Sequence, residues 1–152
     1  MAYKDQTITN LSTGQTIRFL QTAKDTNHEF LEIEAAYDAH SKPPPPHYHP
    51  YQEEDFVIVK GEMELQMGDK TITLHEGDCF HIPANTVHSM WNNSGSLAIV
   101  NWKTRPALDT QYFLEAVTDI ANQKVDNNEH PSALLKSLME KYSNTFRVSK
   151  FV

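Results

Sequence analysis

The sequence predicts an all-β fold, an antiparallel sandwich or barrel, with a pair of α-helices at its C-terminal end. Three observations lead there. Residues 6–104 break into short stretches rich in β-branched and aromatic side chains, with turn signals at regular spacing between them. All five glycines (Gly14, Gly61, Gly68, Gly77 and Gly95) fall in that part of the chain. Beyond residue 110 the apolar positions recur at helical spacing instead.

Taken in order, the expected strands are Thr16–Leu20, Glu29–Ala36, Glu54–Lys60, Glu62–Gln66, Lys70–Leu74, Cys79–Ile82, Val87–Trp91 and Ser96–Trp102. Met67-Gly68-Asp69 and Asn93-Ser94-Gly95 read as tight hairpin loops, because glycine and asparagine tolerate positive φ. Pro43 to Pro46 form a run that should be a stiff polyproline II rod without backbone donors. Tyr112, Phe113, Ala116, Val117, Ile120 and Ala121 share one face of a helix over 110–122. Leu134, Leu135, Leu138, Met139 and Tyr142 do the same over 131–142, with Pro131 suited to the first helical position. Thr145–Val152 reads equally as a short strand or a frayed end. The expected organisation is a barrel over 1–104 and a helical extension over 105–152, packed on it within one domain.

Charge follows the same division. The 152 residues carry 13 basic and 20 acidic side chains, a net charge of −7. Residues 1–104 hold 7 basic and 14 acidic side chains and 105–152 hold 6 and 6, so the whole surplus belongs to the barrel half. A chain of this length can bury a sufficient core without staples, and the lone Cys79 offers no disulfide. Mid-strand and without basic neighbours, Cys79 is expected to be a small buried hydrophobe. There is no signal-peptide pattern at Met1–Asp5, no apolar run near the roughly 20 residues of a membrane helix, and no Lys/Arg cluster. The expectation is a cytoplasmic protein with a small-molecule partner, and neither nucleic acid nor membrane.

The chemistry-bearing residues lie just after the proline rod: His47-Tyr48-His49, then Glu53 and Glu54, with His88 further on. Residues two apart in a strand share a face, so His47 and His49 can point together while Tyr48 points away. Parity would place Glu54 opposite His49, so a break at Pro50-Tyr51 is needed before Glu54, Phe56 and Ile58 align on one face. On its own, an HxH pair suits an exposed loop edge as well as a ligand pair. Three imidazoles and a carboxylate converging inside a barrel would hold a divalent metal and leave coordination positions open.

His47-x-His49-x4-Glu54-x6-Gly61, followed by Gly77-x5-Pro83-x-Asn85-x2-His88-x3-Asn92, resembles the two signature motifs of the cupin superfamily, in order and at the right separation. The resemblance covers about residues 30–103 and extends to single-domain cupins, with a quercetinase-like subgroup as one possibility. Two positions depart from the pattern, Ser41 and Asn85, both where the motifs usually have glycine. The resemblance implies a jelly-roll barrel with His47, His49, Glu54 and His88 as ligands of one divalent transition metal ion, Fe, Mn, Ni or Zn. The spacing to Gly61 selects Glu54 over Glu53. Strand parity then turns Phe56, Ile58, Phe80, Ile82 and Met90 toward a substrate pocket, with Asn101 and Trp102 as further candidates. His75 and His81 fill no ligand position and are expected to be solvated or hydrogen-bonded bystanders.

Three functional readings follow from the resemblance. The first is a metal-dependent enzyme, a quercetinase-like dioxygenase or an isomerase, in which Glu54 completes the metal shell or acts as catalytic base. The second is a binding or sensing module that holds a small ligand without turnover. The third uses the barrel as an assembly unit, a homodimer formed by sheet contact. If the helices lid the pocket, Phe113, Val117 and Leu138 become its walls.

Overall fold

The computed structural model describes residues 3–123 and 130–149, and the structural statements below concern these. The chain runs β1 (Thr7–Thr9), β2 (Thr16–Gln21), β3 (Leu31–Tyr37), β4 (His47–Tyr48), β5 (Glu53–Lys60), β6 (Glu62–Met67) and β7 (Lys70–His75). It continues through β8 (Cys79–Ile82), β9 (His88–Trp91), β10 (Ala98–Arg105), α1 (Thr110–Ala121), α2 (Pro131–Lys141) and β11 (Arg147–Val148). Two sheets result, one in the order β1-β2-β3-β10-β5-β8 and the other β11-β4-β9-β6-β7. Every pairing is antiparallel, as a jelly roll requires.

Alternation along the strands places the core between the sheets. In β5, Glu54, Phe56 and Ile58 are buried while Glu53 and Val57 are exposed, which is the parity the sequence implies. Phe56, Ile58, Met63, Leu65, Ile82 and Val100 form one apolar cluster, and Ile17, Phe19, Leu31, Ile33 and Ala35 a second beneath β2 and β3. Cys79 corrects the expectation for it. It is exposed, because Phe80 and Ile82 are the residues of β8 that turn inward.

The loops divide. Gly68-Asp69 is a two-residue hairpin turn between paired Met67 and Lys70, with Gly68 at φ 60°. Asn93-Ser94-Gly95 is not a hairpin, since β9 and β10 belong to different sheets and the segment crosses between them. Asn92 fills its interior, and its amide nitrogen donates to the carbonyls of Tyr37, Asp38 and Ser96.

The helices meet each other through Phe113, Ile120 and Leu138. Pro131 occupies the first turn of α2, where His130 caps the helix by accepting from the Ser132 N–H. The extension is tied to the barrel by polar side chains. Gln52, buried in the loop before β5, donates to the carbonyls of Pro106 and Ala107 and to Thr110 Oγ1. Asn122 at the end of α1 accepts from the Leu11 N–H and donates to the Thr9 carbonyl. After α2 the tail resolves in favour of a strand. β11 pairs with β4, and residues 150–152 of the expected tail lie outside the described residues. Among the described residues no helix is long and apolar enough to cross a membrane.

Candidate metal centre

The four motif residues arrive from three strands and one turn. His47 lies on β4, His49 just beyond it, Glu54 on β5 and His88 on β9. His47 and His88 are direct partners across the β4–β9 pair. The turn at Pro50-Tyr51 supplies the break that brings Glu54 to the face of His49. Asn85 holds this turn in place by donating its N–H to the His49 carbonyl, at φ 63°, a conformation asparagine tolerates in place of the motif's glycine.

The geometry leaves a set of acceptors facing one another. His47, His49 and His88 place one ring nitrogen each within 4.8 Å of one another. Nε2 of His49 and Nε2 of His88 each lie 3.0 Å from Glu54 Oε1. Each imidazole is oriented from behind: Nδ1 of His47 bonds the Pro45 carbonyl at 3.0 Å, that of His49 the Thr145 carbonyl at 2.8 Å, and that of His88 the Thr86 carbonyl at 2.8 Å. A carbonyl only accepts, so Nδ1 carries the hydrogen in all three rings and each neutral ring offers an Nε2 lone pair inward. Glu54 Oε1 and His49 Nε2 are accordingly buried with no hydrogen-bond partner. Three inward lone pairs beside a carboxylate form a donor set that could hold a divalent metal.

Without metal, a proton takes part of that role. The His49 pKa is raised: burial is the largest influence and lowers it, but the charge and hydrogen bond of Glu54 and the Thr145 carbonyl outweigh it. Glu54 is held well below the usual carboxylate range, since burial, which raises it, is outweighed by His49 and His88. His47 is pushed down to about 3, by burial first and then by His88 and His49, and stays neutral.

Beside the four residues opens a cavity of about 470 Å³, within the range of small-molecule sites. Of the residues that parity turns inward, Phe56 and Met90 line it. Ile58, Phe80 and Ile82 do not: Ile58 and Ile82 are filled into the apolar core, and Phe80 packs against it. Their strands run on past the cavity floor, so parity turns them inward at a depth where only other side chains are met. Of the two further candidates, Trp102 lines the cavity, stacked on Phe56 at 5.9 Å, while Asn101 points to the other face and donates to Glu32. His81 bonds Asp55 at 2.8 Å on the outer face, away from the site, and His75 lies near Glu62 on the surface.

Several lining residues were not singled out from the sequence. Tyr37 could have been found, since it continues the inward set Leu31, Ile33 and Ala35 on β3. Burial pushes its hydroxyl up to about 12, tempered by Gln15 and reinforced by the Glu54 charge, so it remains a proton donor. The proline rod forms one rim through Pro43, Pro44 and Pro45. The helical extension closes the opposite side with Phe113, Leu114, Val117 and Met139. Met139 takes the place expected of Leu138, which is buried between the helices. Phe146, in an aperiodic stretch after α2, gives no sequence signal and completes the wall.

Comparison with known proteins agrees with this architecture. The cupin domain family matches residues 35–102, which include both motifs. The barrel has the cupin fold. The quercetin 2,3-dioxygenase of Bacillus subtilis is 33% identical over 79 residues, 52% of this chain. The chain spans only 23% of that relative's length. Among solved cupin-like folds, an RmlC-like cupin from Shewanella frigidimarina superposes with a TM-score of 0.58 at 20% identity, covering 73% of this chain and 94% of that one. KdgF from a Halomonas species gives 0.56 at 18% identity, covering 64% and 84%. These structural likenesses establish the fold.

Proposed function

We propose that this cupin is a metal-dependent enzyme acting on a small organic molecule, with dioxygenase chemistry of the kind named for its Bacillus relative. One observation carries the reading: three imidazole nitrogens converge beside the buried Glu54 carboxylate, and His47, His88 and Glu54 border an aromatic-walled cavity large enough for a substrate. His47, His49, His88 and Glu54 would hold the ion, one divalent transition metal among Fe, Mn, Ni and Zn. Such an ion supplies Lewis acidity and, where redox-active, electron exchange with dioxygen.

The remaining work falls to the chain's own groups. Glu54 either completes the metal shell or, turned from it, accepts a proton from a substrate hydroxyl at its carboxylate. The Tyr37 hydroxyl stays protonated and can donate to a substrate oxygen. Phe56, Trp102 and Phe113 exclude water and favour a flat, apolar body. The lining favours this class over phosphorylated sugars, because Lys42 is the only lysine or arginine among the lining residues. A non-catalytic binder of the same ligand is the second reading, favoured by the largely apolar lining beyond the histidines, Glu54 and Tyr37. A cytoplasmic homodimer belongs to the same proposal, and light scattering on the purified protein reads the assembly directly.

Metal analysis of protein purified without chelator or affinity metal comes first, followed by oxygen uptake with flavonols and other catechol-like or β-dicarbonyl compounds. The expected result is about one metal per chain and uptake that depends on one of these compounds. Zn with tight binding and no turnover would favour the binder, and protein without metal would overturn both the enzyme and the metal centre.

A further inference from the structure

The C-terminal segment after α2 reaches back to the metal-binding end of the barrel, although it belongs to neither cupin motif. Thr145 and Phe146 both donate their N–H groups to the Tyr142 carbonyl, which fixes the turn that leaves α2. From there the chain enters β11, where Arg147 faces Tyr48 and Val148 faces His47, and Ser149 donates to the Pro46 carbonyl. β4 is only two residues long and is joined to β9 by the single pair His47–His88, so its other edge would be open without β11.

Two side-on contacts then reach the histidines themselves. The buried Thr145 carbonyl accepts from Nδ1 of His49 at 2.8 Å. The Phe146 ring stacks on the His47 imidazole with centroids 4.5 Å apart and planes at 23°, and meets His49 edge-on at 5.8 Å. Behind it, Phe113 of α1 stacks on Phe146 at 4.8 Å and 26°. A continuous aromatic column therefore runs from the helical extension to a candidate ligand.

We propose that Phe146 is a positioning residue of the metal centre, holding the His47 ring in plane and seating the strap whose Thr145 carbonyl orients His49. The inference rests on the metal reading of His47, His49, Glu54 and His88. A carbonyl acceptor behind an imidazole fixes which nitrogen faces the metal, and a stacked ring fixes the tilt of its neighbour. The strap thus acts on two of the three histidines at once, and the helical extension becomes part of what makes the site competent.

The test uses the full-length protein, stripped of metal and titrated with Co(II) in competition with a chelating indicator. Phe146→Ala should weaken Co(II) binding by about 10–100-fold, the range seen when an outer partner of a metal-ligating histidine is removed. It should also shift the visible absorption of bound Co(II) and speed exchange of the His49 ring N–H, observed among the hyperfine-shifted proton resonances. Phe146→Tyr, which keeps the ring, should restore all three. If Phe146→Ala fails to fold, Phe146→Leu keeps apolar bulk without the flat stack and is judged by the same readouts. A folded variant that binds Co(II) within about threefold of the parent, with an unchanged spectrum, overturns the positioning role alone. A parent that takes up no Co(II) overturns the metal reading and this inference with it.

Discussion

His49→Ala should abolish stoichiometric metal, lowering affinity by more than about 100-fold, since loss of even an outer partner of such a ligand costs about 10–100-fold. The His49 imidazole is held at both ring nitrogens. His49 is 5% exposed, bonded through Nδ1 to Thr145 and 3.0 Å through Nε2 from Glu54. Alanine removes one inward lone pair and leaves Glu54, 2% exposed, with His88 as its remaining counterpart. The same residue contributes to the pH dependence in the parent. Proton and metal compete for Nε2, and the His49 pKa is raised from 6.5, so loading should be insensitive to pH above that raised value. Below it, affinity should fall by up to about tenfold per pH unit. His47, at about 3, contributes only under far stronger acid. Elemental analysis of the variant, with metal titrations of the parent across this range, checks both parts. A variant that retains one tightly bound metal per chain would remove His49 from the ligand set.

Much of this arrangement is legible because strands convert spacing into sidedness. Glu54 separates from Glu53 by its spacing to Gly61, and Phe56, sharing its face by parity, follows it to the cavity wall. Parity carries no information about depth, which is why Ile58 and Ile82 share the inward face yet end in the core. It equally assigns Cys79 to the outside once Phe80 and Ile82 are inside, whereas its mid-strand place without basic neighbours suggests burial. Turn residues mark where a strand ends but not which sheet the next one joins, so Asn93-Ser94-Gly95 signals a turn and conceals a crossing. β1 and β4 span three and two residues, too few to show any period. Thr145 and Phe146 are least visible of all. Thr145 acts through a main-chain carbonyl, which no side chain encodes, and Phe146 through a contact nearly a hundred residues away in the chain.

Asn92→Ala should destabilise the fold by about 3–4 kcal/mol while leaving metal stoichiometry unchanged at saturation. Asn92 is fully buried, and its amide nitrogen serves three carbonyls, those of Tyr37 at 3.2 Å, Asp38 at 3.1 Å and Ser96 at 2.7 Å. Its Oδ1 accepts from the N–H of Ser94 at 2.9 Å and from the Ser94 hydroxyl at 2.7 Å. One side chain thereby joins the end of β9, the exit of β3 and the crossing into β10. Alanine strips the amide from all of these partners at once. Each buried group left unpaired costs about 1–3 kcal/mol, and partial access to water in the loop keeps the sum below the simple total. At about 2–4 °C per kcal/mol for a chain of this size, the melting temperature should drop by roughly 10 °C. The main-chain N–H of Asn92 still donates to Ser41 Oγ, next to the proline rod, and His88 lies four residues earlier within β9, held by its own bond to Thr86. The ligand set should therefore survive a loss of stability that reaches the loop and the rod. Thermal unfolding of metal-free protein and Co(II) titration at saturating metal separate the two effects. A variant that melts with the parent would mean that the loop is held by its backbone alone, and one that folds but cannot load would make Asn92 part of the centre itself.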